Sequence, residues 1–304
     1  MKTRKIESLN VSLAGLGCNN FGWRIDVQAT AAVVNAAIDA GINFFDTADI
    51  YGKGQSEEYL GRALGNRRKS VIVATKFGMK LDEDNQGAKP EYIHRAAEAS
   101  LRRLATDYID LYQIHQPDPA VPIADTLGAL DELVKAGKVR EIGCSNFSAE
   151  QLREAEAAVK SGAARFVSVQ NQYSLIHRDP EKDVLPECER LGLEFLPYFP
   201  LGNGLLTGKY RQGQALPEGS RGQAQFGPKV FTDENLEKVE ALIQFAETRG
   251  HTLLELAMSW LACEPTVASV IAGAKSAEQV QQNAKAVNWE LSADEMAKVD
   301  AIMA

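Results

Sequence analysis

Apolar residues follow two alternating rhythms along the chain. Short, nearly continuous apolar runs are separated by longer stretches in which apolar residues return at helical spacing. The runs predict strands at Leu13–Leu16 and at NFFDTA, SVIVATK, IDLYQIH, VREIGCS, FVSVQNQY, LEFLPYFP and VASVIAG. A run without polar alternation reads as a strand covered on both faces, as in a parallel sheet. The punctuation between runs is that of helices. Asp26 and Ser148 stand where N-caps belong, and Ser56 reads as the N-cap of SEEYLGRAL. Pro90 falls in a first turn, and Gly41 and Gly137 follow helical segments as C-terminal stops. The opening TRKIESLNVSLAGLG predicts a short hairpin running into the first strand. DENLEKVEALIQFAETRG and LLELAMSWLAC precede the last strand, and SAEQVQQNAKAV and SADEMAKVDAIM follow it.

Eight strand runs, most followed by a helix, predict right-handed parallel crossovers. The expected fold is α/β, a (β/α)8 TIM barrel with an N-terminal hairpin and extra C-terminal helices, in one domain spanning residues 1–304. A doubly wound sheet would place G-x-G-x-x-G after its first strand. Here GLGCNNFG begins that pattern at Gly15 and Gly17 and does not complete it. The stretch Leu201–Phe231 exceeds an ordinary connection and is expected at the C-terminal face of the barrel, ordering when a cofactor binds.

Composition changes this picture little. Apolar residues make up 45% and charged residues 24%, as in ordinary globular proteins. A net charge of −8 argues against a nucleic-acid partner. No apolar run is long enough to span a bilayer, and MKTRKIESLN lacks a signal-peptide core. The four cysteines lie far apart, as expected of reduced thiols in a cytoplasmic protein. His94, His177 and His251 show no metal-ligand spacing, so no metal is expected.

The candidate chemistry sits at strand ends. Asp46, Tyr51, Lys76 and His115 each follow or close an apolar run, and strand C-termini converge at one mouth of a barrel. An ammonium near Tyr51 would lower its pKa, and Asp46 would anchor Lys76. His115 would orient a carbonyl oxygen. That set suits reduction of an aldehyde or ketone, in which a proton reaches oxygen as hydride reaches carbon. Gln170, an amide inside an apolar strand, needs a partner.

The chain resembles the aldo-keto reductase superfamily over essentially its whole length. The resemblance is carried by INFFDTADIYGKGQSEEYLG, VIVATKFG, LYQIHQPD, GCSNFS, VQNQYSLI, YFPLGNGLLTGKY and IAGAKSAEQVQQN. The pattern looks more like the bacterial oxidoreductase branches than the aldose reductase branch. The resemblance implies that Asp46, Tyr51, Lys76 and His115 form the catalytic tetrad, with Tyr51 the general acid. It implies that Ser145, Asn146 and Gln170 hold a nicotinamide carboxamide and that Tyr198 stacks on the ring. Pro200, Leu201, Gly202, Gly204 and Lys209 would cover the pyrophosphate. Gly273, Lys275, Gln279, Gln282 and Asn283 would surround the adenosine phosphate, and Trp23 would line the substrate pocket. The expected activity is NADPH-dependent carbonyl reduction on a small carbonyl or sugar substrate, with NADH as the other possible cofactor. Two departures stand out: Gln279 replaces a commoner basic residue, and Phe199 a commoner Ser. The alternatives are an NAD-linked sugar or alcohol dehydrogenase and, in another class, a nicotinamide-binding regulatory subunit of the potassium-channel β type. That last branch typically lacks the His of the tetrad.

Overall fold

The computed structural model describes residues 1–211, 213–214 and 230–304. Part of the long stretch singled out above, residue 212 and residues 215–229, therefore lies outside the described residues, and so does its expected ordering.

The chain opens with the hairpin, β1 (Thr3–Ile6) paired antiparallel with β2 (Leu9–Ser12). The eight buried runs then form one parallel sheet. They are β3 (Ala14–Gly17), β4 (Phe44–Asp46), β5 (Ile72–Phe77), β6 (Ile109–Ile114), β7 (Val139–Ser145), β8 (Phe166–Gln172), β9 (Glu194–Tyr198) and β10 (Val270–Gly273). Neighbours follow chain order from β3 to β9, and β10 lies beside β3. Phe195 closes the ring through a parallel bridge to Val267. It donates to Thr266 O at 2.7 Å and accepts from Ala268 N at 3.0 Å. The first strand begins one residue later than expected.

The helices lie outside this ring: α1 (Val27–Asp39), α2 (Gln55–Leu64), α3 (Pro90–Leu104), α4 (Ile123–Lys135), α5 (Ala149–Ala158) and α6 (Val184–Leu191). α7 (Asp233–Glu247) and α8 (Leu253–Cys263) precede β10, and α9 (Ala277–Lys285) and α10 (Ala293–Met303) follow it. Asp26 accepts from Ala29 N, and Ser148 forms a capping box with Gln151. Ser56 is not a cap. Gly54 holds that position at φ +90°, because the turn before α2 bends through left-handed residues and shifts the helix start. The Ser56 hydroxyl is buried, donating to Cys18 O at 2.8 Å with Thr47 Oγ1 also 2.8 Å away. Among the described residues, no helix is long and apolar enough to cross a membrane.

The hairpin fills one end of the barrel. Ile6, Leu9 and Val11 are fully buried against Phe44, Ala74, Leu111, Leu196 and Ala268 of the interior. Arg4 secures the hairpin by donating to Ala262 O, Glu264 O and Val267 O. The first two carbonyls lie at the C-terminus of α8, where a cation is favoured. With this end closed by apolar side chains, the C-terminal mouth is the end left for polar chemistry.

The contact between α2 and α3 is close enough to test. A Cβ at Gly61 would lie 2.6 Å from Leu104 O and 2.7 Å from Leu104 C. Alanine gains about 1 kcal/mol over glycine in a helix, whereas overpacking costs about 1–3 kcal/mol. The obstructing atoms are backbone, so the cost should win. Gly61→Ala is expected to lower stability in urea denaturation; a more stable variant would show that the two helices can separate freely.

Candidate active site

Side chains on a strand alternate faces, so an interior position recurs every second residue. Phe44, Ala74 and Leu111 belong to the apolar interior. Two residues further along the same strands come Asp46, Lys76 and Gln113, all buried. The interior thus turns polar one layer below the mouth. Lys76 is fully enclosed, and its Nζ donates to Asp46 Oδ1 at 2.8 Å, Asp46 Oδ2 at 2.7 Å and Thr47 O at 3.0 Å. Asp46 Oδ1 also accepts from Gln170 Nε2 at 2.9 Å and Gln113 Nε2 at 3.4 Å. Burial alone would drive the Lys76 pKa down. The Asp46 carboxylate and its hydrogen bonds outweigh burial, and the pKa stands above its ordinary value.

Tyr51 follows on the turn DTADIYGKG, where Gly52, Lys53 and Gly54 all have positive φ. Its ring centroid lies 5.4 Å from Lys76 Nζ and 5.8 Å from the His115 ring, edge to face. The net lowering of the Tyr51 pKa expected from the sequence is not present. Lys76 does pull it down, but burial pushes harder, and the pKa stands above its ordinary value. His115 follows β6, with its backbone N bound to Phe77 O at 2.8 Å. Burial, and then the Lys76 charge, hold its pKa down at about 3. The ring is neutral near pH 7, and its Nδ1 is buried with no hydrogen-bond partner among the described residues.

A cleft of about 670 Å³ opens above these groups, with Asp46, Tyr51 and His115 on its wall and Lys76 beneath it. Ser145 and Asn146 reach it from the end of β7, and Asn146 holds a left-handed φ of +61°. The Asn146 side chain donates to His115 O at 2.9 Å and accepts from Tyr198 Oη at 2.8 Å. Gln170 also lines the cleft, but its Nε2 is committed to Asp46. Tyr198, Pro200, Leu201, Gly204 and Lys209 form the wall after β9, with Gly202 buried behind them. Phe199 stands 38% exposed at φ +52°. Gly273, Lys275, Gln279, Gln282 and Asn283 line the far end. There Gln279 Oε1 accepts from Lys275 N at 2.8 Å. Trp23 is 69% exposed and outside the cleft lining; its neighbours Asn19, Asn20 and Arg24 line it instead.

The sequence reading missed Gln113 and a buried acidic group beside the Tyr51 turn. Asp49 and Glu57 are both enclosed. Glu57 accepts from Arg103 Nε at 2.6 Å and Thr75 Oγ1 at 2.5 Å. Among the described residues, the side-chain hydrogen bond to Asp49 is a long one, 3.4 Å, from Tyr92. Burial, and then the Glu57 charge, push the Asp49 carboxyl up to about 7. The available signal was the second Asp of DTAD, a carboxylate between two catalytic candidates.

Residues 14–304 match the model of the Aldo/keto reductase family. The chain belongs to this family. Solved structures of members superpose closely. A glycerol dehydrogenase of Gluconobacter oxydans has a TM-score of 0.86 and 32% identity, covering 99% of this chain and 94% of that one. The holo form of an aldo-keto reductase from Bacillus halodurans gives 0.83 and 32%, over 99% and 96% of the two chains. An aldo-keto reductase of Klebsiella pneumoniae in complex with NADPH gives 0.79 and 30%, over 97% and 92%. By sequence, a probable voltage-gated potassium channel subunit beta of Arabidopsis thaliana is 35% identical, over 92% of this chain and 88% of its own.

Two groups of this aldo/keto reductase carry opposite pH signatures. Asp49 keeps its proton to about pH 7 when folded, against an ordinary value of 3.8. Its stabilisation is full below about pH 4 and is lost as pH rises to 7, at about 1.4 kcal/mol per pH unit. His115 stays neutral to about pH 3 when folded, against 6.5 ordinarily. Its stabilisation is full above about pH 6.5 and is lost as pH falls toward 3, with a similar slope. Wild type should therefore gain on Asp49→Asn, and lose ground to His115→Gln, as pH falls from 6.5 to 4. Urea denaturation across that range measures both differences; flat differences would refute the two assignments.

Proposed function

We propose that this aldo/keto reductase reduces an aldehyde or ketone to the alcohol, with NADPH as cofactor and Tyr51 as general acid. The observation that carries the proposal is the buried Lys76–Asp46 pair beside Tyr51, with a neutral His115 against the Tyr51 ring. A proton donor must hold a proton at working pH. Tyr51, with its pKa raised, does so, whereas His115, with its pKa near 3, has none to spare. His115 is then a hydrogen-bonding group that orients the substrate oxygen. As Tyr51 gives up its proton, the charge left on its oxygen is stabilised by the Lys76 ammonium, which Asp46 keeps protonated and in place.

The rest of the cleft fits a nicotinamide dinucleotide. The Tyr198 ring forms part of its wall, and Ser145, Asn146 and Gln170 place a hydroxyl and two amides there, which would exchange their bonds to Gln170 O, His115 O, Tyr198 and Asp46 for bonds to a carboxamide. Lys209 and Lys275 supply positive charge along the cleft and toward its far end, suited to a pyrophosphate and a further phosphate. NADPH supplies the hydride when bound. The free cysteines, three of them buried, fit a reducing cytoplasmic setting.

Two other readings have specific support. The Gluconobacter relative is a glycerol dehydrogenase, which favours oxidation of an alcohol on the same site with the proton transfers reversed. The plant relatives bear a channel-subunit name, which favours a sensing role. The complete set of Asp46, Tyr51, Lys76 and His115 weighs toward catalysis.

Tyr51→Phe should cut reduction of 4-nitrobenzaldehyde by about 10²–10⁴ while NADPH still binds in a fluorescence titration. Near-normal turnover would mean that another group is the acid. Lys275→Ala should weaken NADPH by roughly tenfold to a hundredfold, the value of a charge-assisted hydrogen bond. NADH, lacking the 2′-phosphate, should lose much less. Equal losses for the two cofactors would favour the NAD-linked reading.

A further inference from the structure

Asp46 is the one carboxylate among the described residues lining the cleft, and Lys76 neutralises it. The other charged lining residues are cations: Lys209, Lys275 and Arg24. On a chain of net charge −8 this is a local reversal of sign. The reading above uses the two lysines for the cofactor. Arg24 is left over, and it stands elsewhere.

Its position is fixed by a tight turn after β3. Arg24 N and Ile25 N both bond Asn20 O, at 2.9 and 3.1 Å, and Gly22 N bonds Ile25 O at 3.1 Å. The turn is anchored by the buried Phe21 and by Asn20 Nδ2, which donates to Ala274 O at 3.2 Å. It abuts the Tyr51 turn with no room for a methyl group. A Cβ on Gly52 would lie 3.1 Å from Phe21 O, and one on Gly22 would lie 2.4 Å from Gln55 Cβ. The turn that carries Arg24 thus sits against the turn that carries Tyr51, and Arg24 is an exposed residue of the cleft lining.

The guanidinium is also uncommitted. Among the described residues it has neither a carboxylate nor a carbonyl partner. Asp26, two residues on, is engaged as the α1 cap at 2.8 Å from Ala29 N. The group lies 4.4 Å from the centroid of the Trp23 ring. A guanidinium held over an aromatic ring by cation–π attraction keeps its N–H groups available to a bidentate acceptor. It also gives the exposed Trp23 a role as the platform for Arg24.

We infer that Arg24 selects carbonyl substrates that carry an anionic group, a carboxylate or a phosphate, away from the reacting carbon. The inference rests on the reading of the cleft as a carbonyl-reducing site.

Matched substrate pairs test it in steady-state kinetics with NADPH: 4-carboxybenzaldehyde against methyl 4-formylbenzoate, and glyceraldehyde 3-phosphate against glyceraldehyde. Wild type should favour the anionic member of at least one pair in kcat/KM, chiefly through KM. The first pair responding alone identifies a carboxylate, and the second a phosphate. Arg24→Gln should cut that preference roughly tenfold to a hundredfold, the worth of a charge-assisted hydrogen bond. Arg24→Lys should keep part of it. No anion preference in wild type, or a preference unchanged in Arg24→Gln, overturns the inference. So do equal losses for charged and neutral members, or a parallel loss of NADPH affinity. If wild type turns over no carbonyl compound, the parent reading fails separately. Benzoate and inorganic phosphate titrations followed by tryptophan emission then decide the matter. Binding that Arg24→Gln removes sustains the inference, and binding absent from wild type or unaltered by the variant overturns it.

Discussion

The site hangs on one buried ion pair. Lys76 has no access to water, and its ammonium is held by both oxygens of Asp46 and by Thr47 O. An unpaired charge at that depth would be untenable, and removing one partner of such a pair typically costs about 3–5 kcal/mol. Here both partners are satisfied, and the surplus capacity of the carboxylate is taken up by Gln170 and Gln113. Asp46 on β4 thereby receives donors from β5, β6 and β8. A single side chain ties together the mouth of the barrel across its interior, where the parallel ladder alone connects only adjacent strands.

The charge on Lys76 then sets the two groups above it. It opposes protonation of His115 and, together with burial, keeps that ring neutral. It favours ionisation of Tyr51, which burial resists. The two effects separate the roles of neighbouring groups that touch edge to face. One group retains a proton that it can donate, and the other retains only the hydrogen-bonding capacity of a neutral imidazole.

Much of this was legible in the sequence because barrels make it so. Strands buried on both faces leave continuous apolar runs, and parallel strands bring their C-terminal ends to one mouth, so Asp46, Lys76 and His115 could be placed together from run endings alone. What stayed hidden depends on local geometry that a pattern does not encode. Ser56 looks like a cap, but the left-handed turn before α2 turns its hydroxyl inward. Gln113 reads as one polar residue in an apolar strand until the register sets it opposite Lys76. The resemblance placed Trp23 in the substrate pocket, whereas the turn at Asn20 puts Arg24 in the cleft lining instead. The sign of the Tyr51 shift also eluded the sequence, because it is a balance between a charge and a depth of burial.

The buried acids beside the Tyr51 turn explain how a glycine-rich loop can present Tyr51 without wandering. Glu57, at the start of α2, is gripped by Arg103 from α3 and by Thr75 of β5. Asp49 N, in the turn itself, donates to Lys76 O at 3.1 Å, one residue beyond Thr75. The strand residues Thr75 and Lys76 are therefore bound on one side to the turn that carries Tyr51 and on the other to the helix that follows it. Lys76 cannot shift toward solvent without carrying that turn with it. Glu57 takes the Arg103 guanidinium, and burial together with the Glu57 charge leaves Asp49 protonated to about pH 7, which limits the negative charge buried there. These bonds tie the strand that carries Lys76 to the turn that carries Tyr51, whose acidity is set by burial and by the Lys76 charge together.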